Sequence, residues 1–118
     1  MVADLLSTVF VVDEMVAAPG RGRAFLDAYL ERYAPGARDR GLVLDRILVA
    51  PPVWLDDGSN TVTVTWTAPG TDAWWRQRWA AGRDPDVAAW WAWADTELVR
   101  RERTTACAAD ALAAVTDV

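Results

Sequence analysis

The chain has 118 residues, 53% of them hydrophobic and 25% charged, which suits one globular domain with one core and is not the composition of a disordered chain. Its net charge of −5, with twelve arginines and neither lysine nor histidine, leaves no basic surface for nucleic acid and removes imidazole bases, Schiff-base amines and histidine-ligated metal or haem. No apolar run approaches the roughly 20 residues of a membrane span, so no membrane partner is expected.

Met1 to Phe10 contains Asp4 and no cation, so no signal peptide is expected. Ser7 to Val16 reads as a first strand. Val9, Phe10, Val11 and Val12 form a short apolar run that asks for cover on both faces. Ala18-Pro19-Gly20 breaks it. From Arg21 to about Arg38 the period becomes helical: Phe25, Leu26, Tyr29, Leu30 and Tyr33 share one arc, with Asp27, Glu31 and Arg32 outside it. Pro35-Gly36 should end or distort this helix near its last turn.

Leu42 to Ala50 is a second strand, with Asp45 and Arg46 on opposite faces, and Pro51-Pro52 ends it. Asp57-Gly58-Ser59-Asn60 is a turn signal. Thr61 to Thr67 alternates, Val62, Val64 and Trp66 against four threonines, so the two segments read as an antiparallel hairpin. Thr71-Asp72 is expected to cap a helix. Six of the eight tryptophans lie between Trp74 and Trp93, and Gly82-Arg83-Asp84-Pro85 splits this stretch into helices at about 72–81 and 85–97, with Asp84 as cap and Pro85 in the first turn. Val99 to Cys107 is the last strand, with Arg100 and Glu102 on one face and Arg101 and Arg103 on the other. The domain is expected to span 1–107, followed by an alanine-rich tail over 108–118. A lone Cys107 forms no internal disulfide, which fits a cytoplasmic location, and it reads as a small buried residue.

This βαββαβ order is the ferredoxin-like arrangement, a four-stranded antiparallel sheet with two helices on one face. The first two strands are too apolar to meet water on either side, so a homodimer joined through the open sheet faces is expected. Here the chain resembles the dimeric α+β barrel superfamily over roughly residues 7–107. The resemblance rests on the element order, on Pro19-Gly20-Arg21 with Phe25-Leu26 after the first strand, and on Asp84-Pro85-Asp86-Val87-Ala88-Ala89-Trp90. It is similar to NIPSNAP-type proteins and, more loosely, to antibiotic biosynthesis monooxygenases and small polyketide cyclases. The resemblance implies a ligand between the helices and the sheet. It does not single out an activity, since the superfamily spans cofactor-free monooxygenases, cyclases, isomerases, haem enzymes and proteins without known chemistry.

With no histidine, any chemistry falls to carboxylates, tyrosines and arginines. Asp13 and Glu14 point to opposite faces of the first strand, so one lies beneath a buried layer, where a carboxylate can act as a proton carrier. Tyr29 and Tyr33, one turn apart, can donate to a substrate oxygen, or can simply be core tyrosines. Arg46, Arg101 and Arg103 are expected partners for the acids, and an inward arginine can equally stabilise an enolate or bind a substrate carboxylate. Phe25, Trp66, Trp75, Trp79 and Trp90 are candidate walls of an aromatic pocket, with packing and interface as the plainer role. Neighbours such as Trp74-Trp75 and Trp90-Trp91 cannot both face one core. Two functions remain open. One is an enzyme without metal or organic cofactor that cyclises, isomerises or oxygenates a small hydrophobic, aromatic or polyketide-like molecule. The other is a non-catalytic dimeric binding or accessory protein. A cavity of about 300 Å³ or more, lined by aromatic side chains with a convergent carboxylate, favours the enzyme.

Overall fold

β-branched and aromatic residues favour extended backbone. In the computed structural model, which describes residues 8–111, they form β1 (Val9–Ala17), β2 (Val43–Ala50) and β3 (Thr61–Ala68), joined by β4 (Leu98–Ala106). The strands make one antiparallel sheet in the order β2-β3-β1-β4, the ferredoxin-like arrangement expected from the element order. Ser7 and residues 112–118 of the expected tail lie outside the described residues.

Register decides which side chains meet the helices. Val11, Asp13 and Met15 on β1 lie opposite Trp66, Val64 and Val62 on β3, and all six are buried. On β4, Thr105, Arg103 and Arg101 share this face. The alternate residues, among them Phe10, Val12, Glu14 and Val16, form the other face with the β3 threonines, and no element among the described residues covers it. On β2 the register slips between Leu44 and Arg46. Asp45 is therefore a bulge, and Arg46 pairs with Thr65 on the open face, ion-paired to Asp45 at 3.4 Å.

The first helix, α1, has three parts: Gly22–Ala28, a π-helical turn Tyr29–Tyr33, and Ala34–Asp39. Pro35 accounts for the turn. It brings no N–H to the Glu31 carbonyl and its ring would crowd that oxygen. Widening the turn, with the Ala34 N–H donating to Tyr29 O, accommodates the ring. The distortion expected at Pro35-Gly36 thus falls one turn earlier, where it sets both tyrosines inward and buried, their rings 5.1 Å apart.

The tryptophan-rich stretch is two helices, α2 (Thr71–Arg83) and α3 (Pro85–Glu97). Asp84 caps α3, its Oδ1 accepting from the Asp86 N–H at 2.9 Å with Pro85 in the first turn, as expected. The start of α2 differs. Gly70, at φ 108°, is the cap, and no side chain caps there, because Thr71 is already helical. α2 buries only Gln77, whereas α3 buries Trp90 and Ala94. Cys107 is exposed just past β4, not buried, because the strand ends at Ala106 on the sheet's outer edge.

Candidate functional site

The helix-facing side of the sheet carries one carboxylate where apolar residues would be usual. Asp13 is 2% exposed and accepts three hydrogen bonds. Arg103 donates from Nε to Oδ1 at 2.6 Å and from Nη2 to Oδ2 at 2.8 Å, and the Tyr29 hydroxyl donates to Oδ2 at 2.8 Å. The register dictates the main pair, since Arg103 lies directly opposite Asp13 on β4. The Trp66 indole N–H donates to Tyr29 Oη at 2.7 Å, and Arg103 Nη2 also donates to Tyr33 Oη at 2.8 Å. Five side chains from β1, α1, β3 and β4 thus form one polar network inside an aromatic shell. Burial, then the charge of Asp13, pushes the Tyr29 hydroxyl well above its ordinary value. Burial alone would lower the Arg103 guanidinium, but the hydrogen bonds and charge of Asp13 outweigh it and hold it above its ordinary value.

Beside this network lies an open cleft of about 520 Å³ between the sheet and the helices. Its floor is Val11, Arg103 and Thr105, and its walls are Trp74, Trp79 and Val87. Arg78 and Arg83 also line it, and among the described residues no carboxylate does. The break between α2 and α3 shapes this cleft: Gly82 and Arg83 from the end of one helix and Val87 from the start of the next border it. Arg103 reaches it as a guanidinium anchored from behind by Asp13, presenting positive charge to an apolar, aromatic space. Among the described residues no cluster of three or more acidic or thiol groups is placed to hold a metal ion. No helix there is long and apolar enough to cross a membrane.

No protein-family model matches the sequence, and no curated protein does. Solved structures do. A NIPSNAP domain protein from Burkholderia xenovorans superposes with a TM-score of 0.65 at 18% identity, over 86% of this chain and 94% of that one. A NIPSNAP family protein of unknown function from Agrobacterium tumefaciens superposes with 0.65 at 10% identity, over 85% and 86%. The chain has the NIPSNAP fold. A cofactor-independent oxygenase from Streptomyces nogalater also matches, at 19% identity over 86% and 92% of the two chains, but its TM-score of 0.49 is too low to carry an argument about chemistry.

On this NIPSNAP fold the candidate residues from the sequence separate into groups. Asp13, Tyr29, Tyr33 and Trp66 come together in the buried network, with Phe25 packed against Tyr29 at 6.4 Å between ring centres. Trp66 does not floor the cleft, because Tyr29 lies over it and both are fully buried. Trp79 lines the cleft. Trp75 is directed outward and 42% exposed, while its neighbour Trp74 turns inward, so the adjacent pair divides as expected. Trp90 is buried between Phe25 and Tyr33 and borders a separate small pocket. Glu14 lies on the open sheet face, 3.6 Å from Arg100, and cannot reach the cleft, because adjacent strand residues alternate faces. Arg46 is on that same face. Arg101 is tied to Asp95 at 2.7 Å beyond the cleft, and its hydrogen bonds hold that carboxyl below the usual range. Arg78 and Arg83 were missed by sequence reasoning. Their one available signal was placement beside the helix break.

Proposed function

We propose that the cleft binds a small, flat, hydrophobic molecule that is an anion or becomes one, a phenol or an enolisable polyketide-like carbonyl compound. On this reading the protein is an enzyme that works without a metal or organic cofactor. The observation that carries it is the anchored Arg103 guanidinium in an aromatic cleft that, among the described residues, contains two further arginines and no carboxylate. Such a site stabilises developing negative charge more than it stabilises the neutral molecule, and that differential binding is the source of rate. Deprotonation is the step common to cyclisation, isomerisation and direct oxygenation of such compounds, and in this open cleft the proton passes to solvent water while the arginines hold the anion left behind. Asp13 acts in this scheme as the group that positions Arg103. With three hydrogen bonds already accepted and 2% exposure, it does not touch a ligand in the cleft.

One observation favours the second reading, a binding or accessory protein. The cleft exceeds 300 Å³ and is aromatic, but no carboxylate base among the described residues converges on it. Titrating naphthol into the protein across pH separates the two. The enzyme reading expects the bound phenol to ionise at lower pH than in free solution, read from its phenolate absorbance. It also expects Arg78→Gln and Arg83→Gln to reduce that shift, and Trp79→Leu to weaken binding several-fold. Binding with unshifted ionisation supports the accessory role, and absence of binding removes both readings of this cleft.

A further inference from the structure

The buried residue of α2 is polar: Gln77, 5% exposed. A helix laid on a sheet turns an apolar stripe inward, and the places one turn before and after Gln77 hold Trp74 and Ala81, which border the same cleft. A Leu or Met here would bury apolar surface with no polar group to desolvate, whereas a buried amide without a partner gives up hydration and gains nothing for it. Among the described residues the Gln77 carboxamide has no hydrogen-bond partner. Its Oε1 and Nε2 are not sealed, in contrast to the unpaired donors of Arg40 and Trp90. The small open part of this side chain therefore includes its amide, and the space that Gln77 borders is the main cleft.

The amide supplies something the other cleft residues lack. Arg78, Arg83 and Arg103 are donors only. Thr105 offers a hydroxyl from the sheet side, but Thr105 is exposed. Gln77 holds an acceptor, Oε1, and a donor, Nε2, side by side in one plane. A ligand edge with a carbonyl and an N–H on the same side satisfies both at once, as one carboxamide does with another. Gln77 stands on the helix side of the cleft, and the Arg103 guanidinium, held by Asp13, on the sheet side. A ligand that contacts both carries its ionising oxygen on one edge and its amide on another. The cleft, at about 520 Å³, lies within the range that takes drug-sized molecules, so two fused rings with both groups fit.

We propose that Gln77 is a specificity-determining residue of the cleft, selecting flat phenols or enols that also bear a primary carboxamide or lactam edge. The inference rests on the reading of this cleft as the ligand site. The arginines recognise the anion, which any phenol can become, and the amide recognises the second group, which few phenols carry. A ligand that covers Gln77 without pairing it strips water from the amide and leaves it unsatisfied, which lowers affinity by about tenfold or more.

The test is calorimetric titration with a hydroxynaphthamide, the corresponding methyl hydroxynaphthoate and naphthol, the first two with hydroxyl and carbonyl groups at opposite ends of the rings. Carboxamide and ester are close in size and in electron withdrawal, and only the carboxamide can pair both polar atoms of Gln77. It should bind about tenfold tighter than the ester. Gln77→Leu should abolish that preference by weakening the carboxamide, with the ester's affinity unchanged or higher. The variant should also melt no lower than the unsubstituted protein, since it loses no internal hydrogen bond, whereas an amide with a purely structural role would lower the melting temperature and affect both ligands alike. Should Gln77→Leu fail to fold, Gln77→Met takes its place with the same expectations. Equal affinities for carboxamide and ester in the unsubstituted protein, or a preference that survives the substitution, overturns the proposal. Equal affinities with the ionisation of bound naphthol still lowered remove the selective role of Gln77 and keep the anion site. A preference that depends on Gln77, with unshifted ionisation, keeps the selective role and favours the binding protein over the enzyme. No binding of any of the three compounds removes both.

Discussion

Asp13 is the residue whose burial demands the most of its neighbours. A carboxylate taken out of water loses several kcal/mol of solvation, and only close, well-directed donors offset that. Arg103 supplies two of the three here, and its own side chain is 32% exposed, which keeps part of its hydration. Arg103→Gln should therefore lower stability by about 3 kcal/mol, the lower end for breaking a buried pair. Urea denaturation measures this, and a loss below about 1 kcal/mol would show that the pair is not structural. Tyr29 adds a pH dependence. Its hydroxyl ionises in the unfolded chain near pH 10, but in the folded protein only at higher pH, because burial and Asp13 oppose the phenolate. The folded state thus retains a proton that the unfolded state gives up. Its stabilising contribution is complete below about pH 10 and declines above it by about 1.4 kcal/mol per pH unit until the folded hydroxyl also ionises. Tyr29→Phe should lose this alkaline slope, measured from melting curves between about pH 9 and 11. The variant should also be less stable at neutral pH by about 1–3 kcal/mol, because the Trp66 indole loses its acceptor.

At the level of elements, two irregularities build the site. The π-helical turn places Tyr29 and Tyr33 over Asp13 and Arg103, and Pro35 is its physical cause. The break after α2 leaves the main cleft and starts α3 with a capped, proline-led turn. These helices can be adjusted separately. A Cβ added at Gly82 meets nothing within 4 Å, so Gly82→Ala should stabilise the protein by about 0.5–1 kcal/mol through backbone entropy. Asp84→Ala removes the α3 cap and should cost about 1 kcal/mol. Thermal melts of both variants check the opposite signs. Equal melting temperatures would mean that the junction contributes nothing to stability.

For the whole molecule, the open sheet face remains. It carries Phe10, Val12 and Val16 with exposed Leu48 and Val43, and its charges balance, Glu14 and Glu102 against Arg46 and Arg100. A face of this kind suits a second copy, and we expect a homodimer through it. Sedimentation equilibrium at micromolar concentration should give twice the 13.0 kDa chain mass, and Val12→Asp should shift it to monomer. A monomeric unsubstituted protein would refute the sheet-to-sheet dimer.

Local pattern by itself determined the element order, the alternation that buries Val62, Val64 and Trp66, the capped restart at Asp84-Pro85, and the division of Arg100 and Glu102 from Arg101 and Arg103. These follow from strand and helix periods and from cap chemistry, which act over a few residues. Only the tertiary structure decided that Asp13 and not Glu14 is the inward acid, that Arg103 and not Arg46 or Arg101 holds it, and that Trp66 lies beneath Tyr29 and not in a cleft. Each depends on which strands lie side by side and in what register, set by packing between residues as far apart as Asp13 and Arg103. The bulge at Asp45 and the widened turn before Pro35 change side-chain direction at positions where a regular period predicts otherwise. The cleft is likewise a product of assembly, since its arginines come from two elements, α2 and β4, that meet only when the chain has folded.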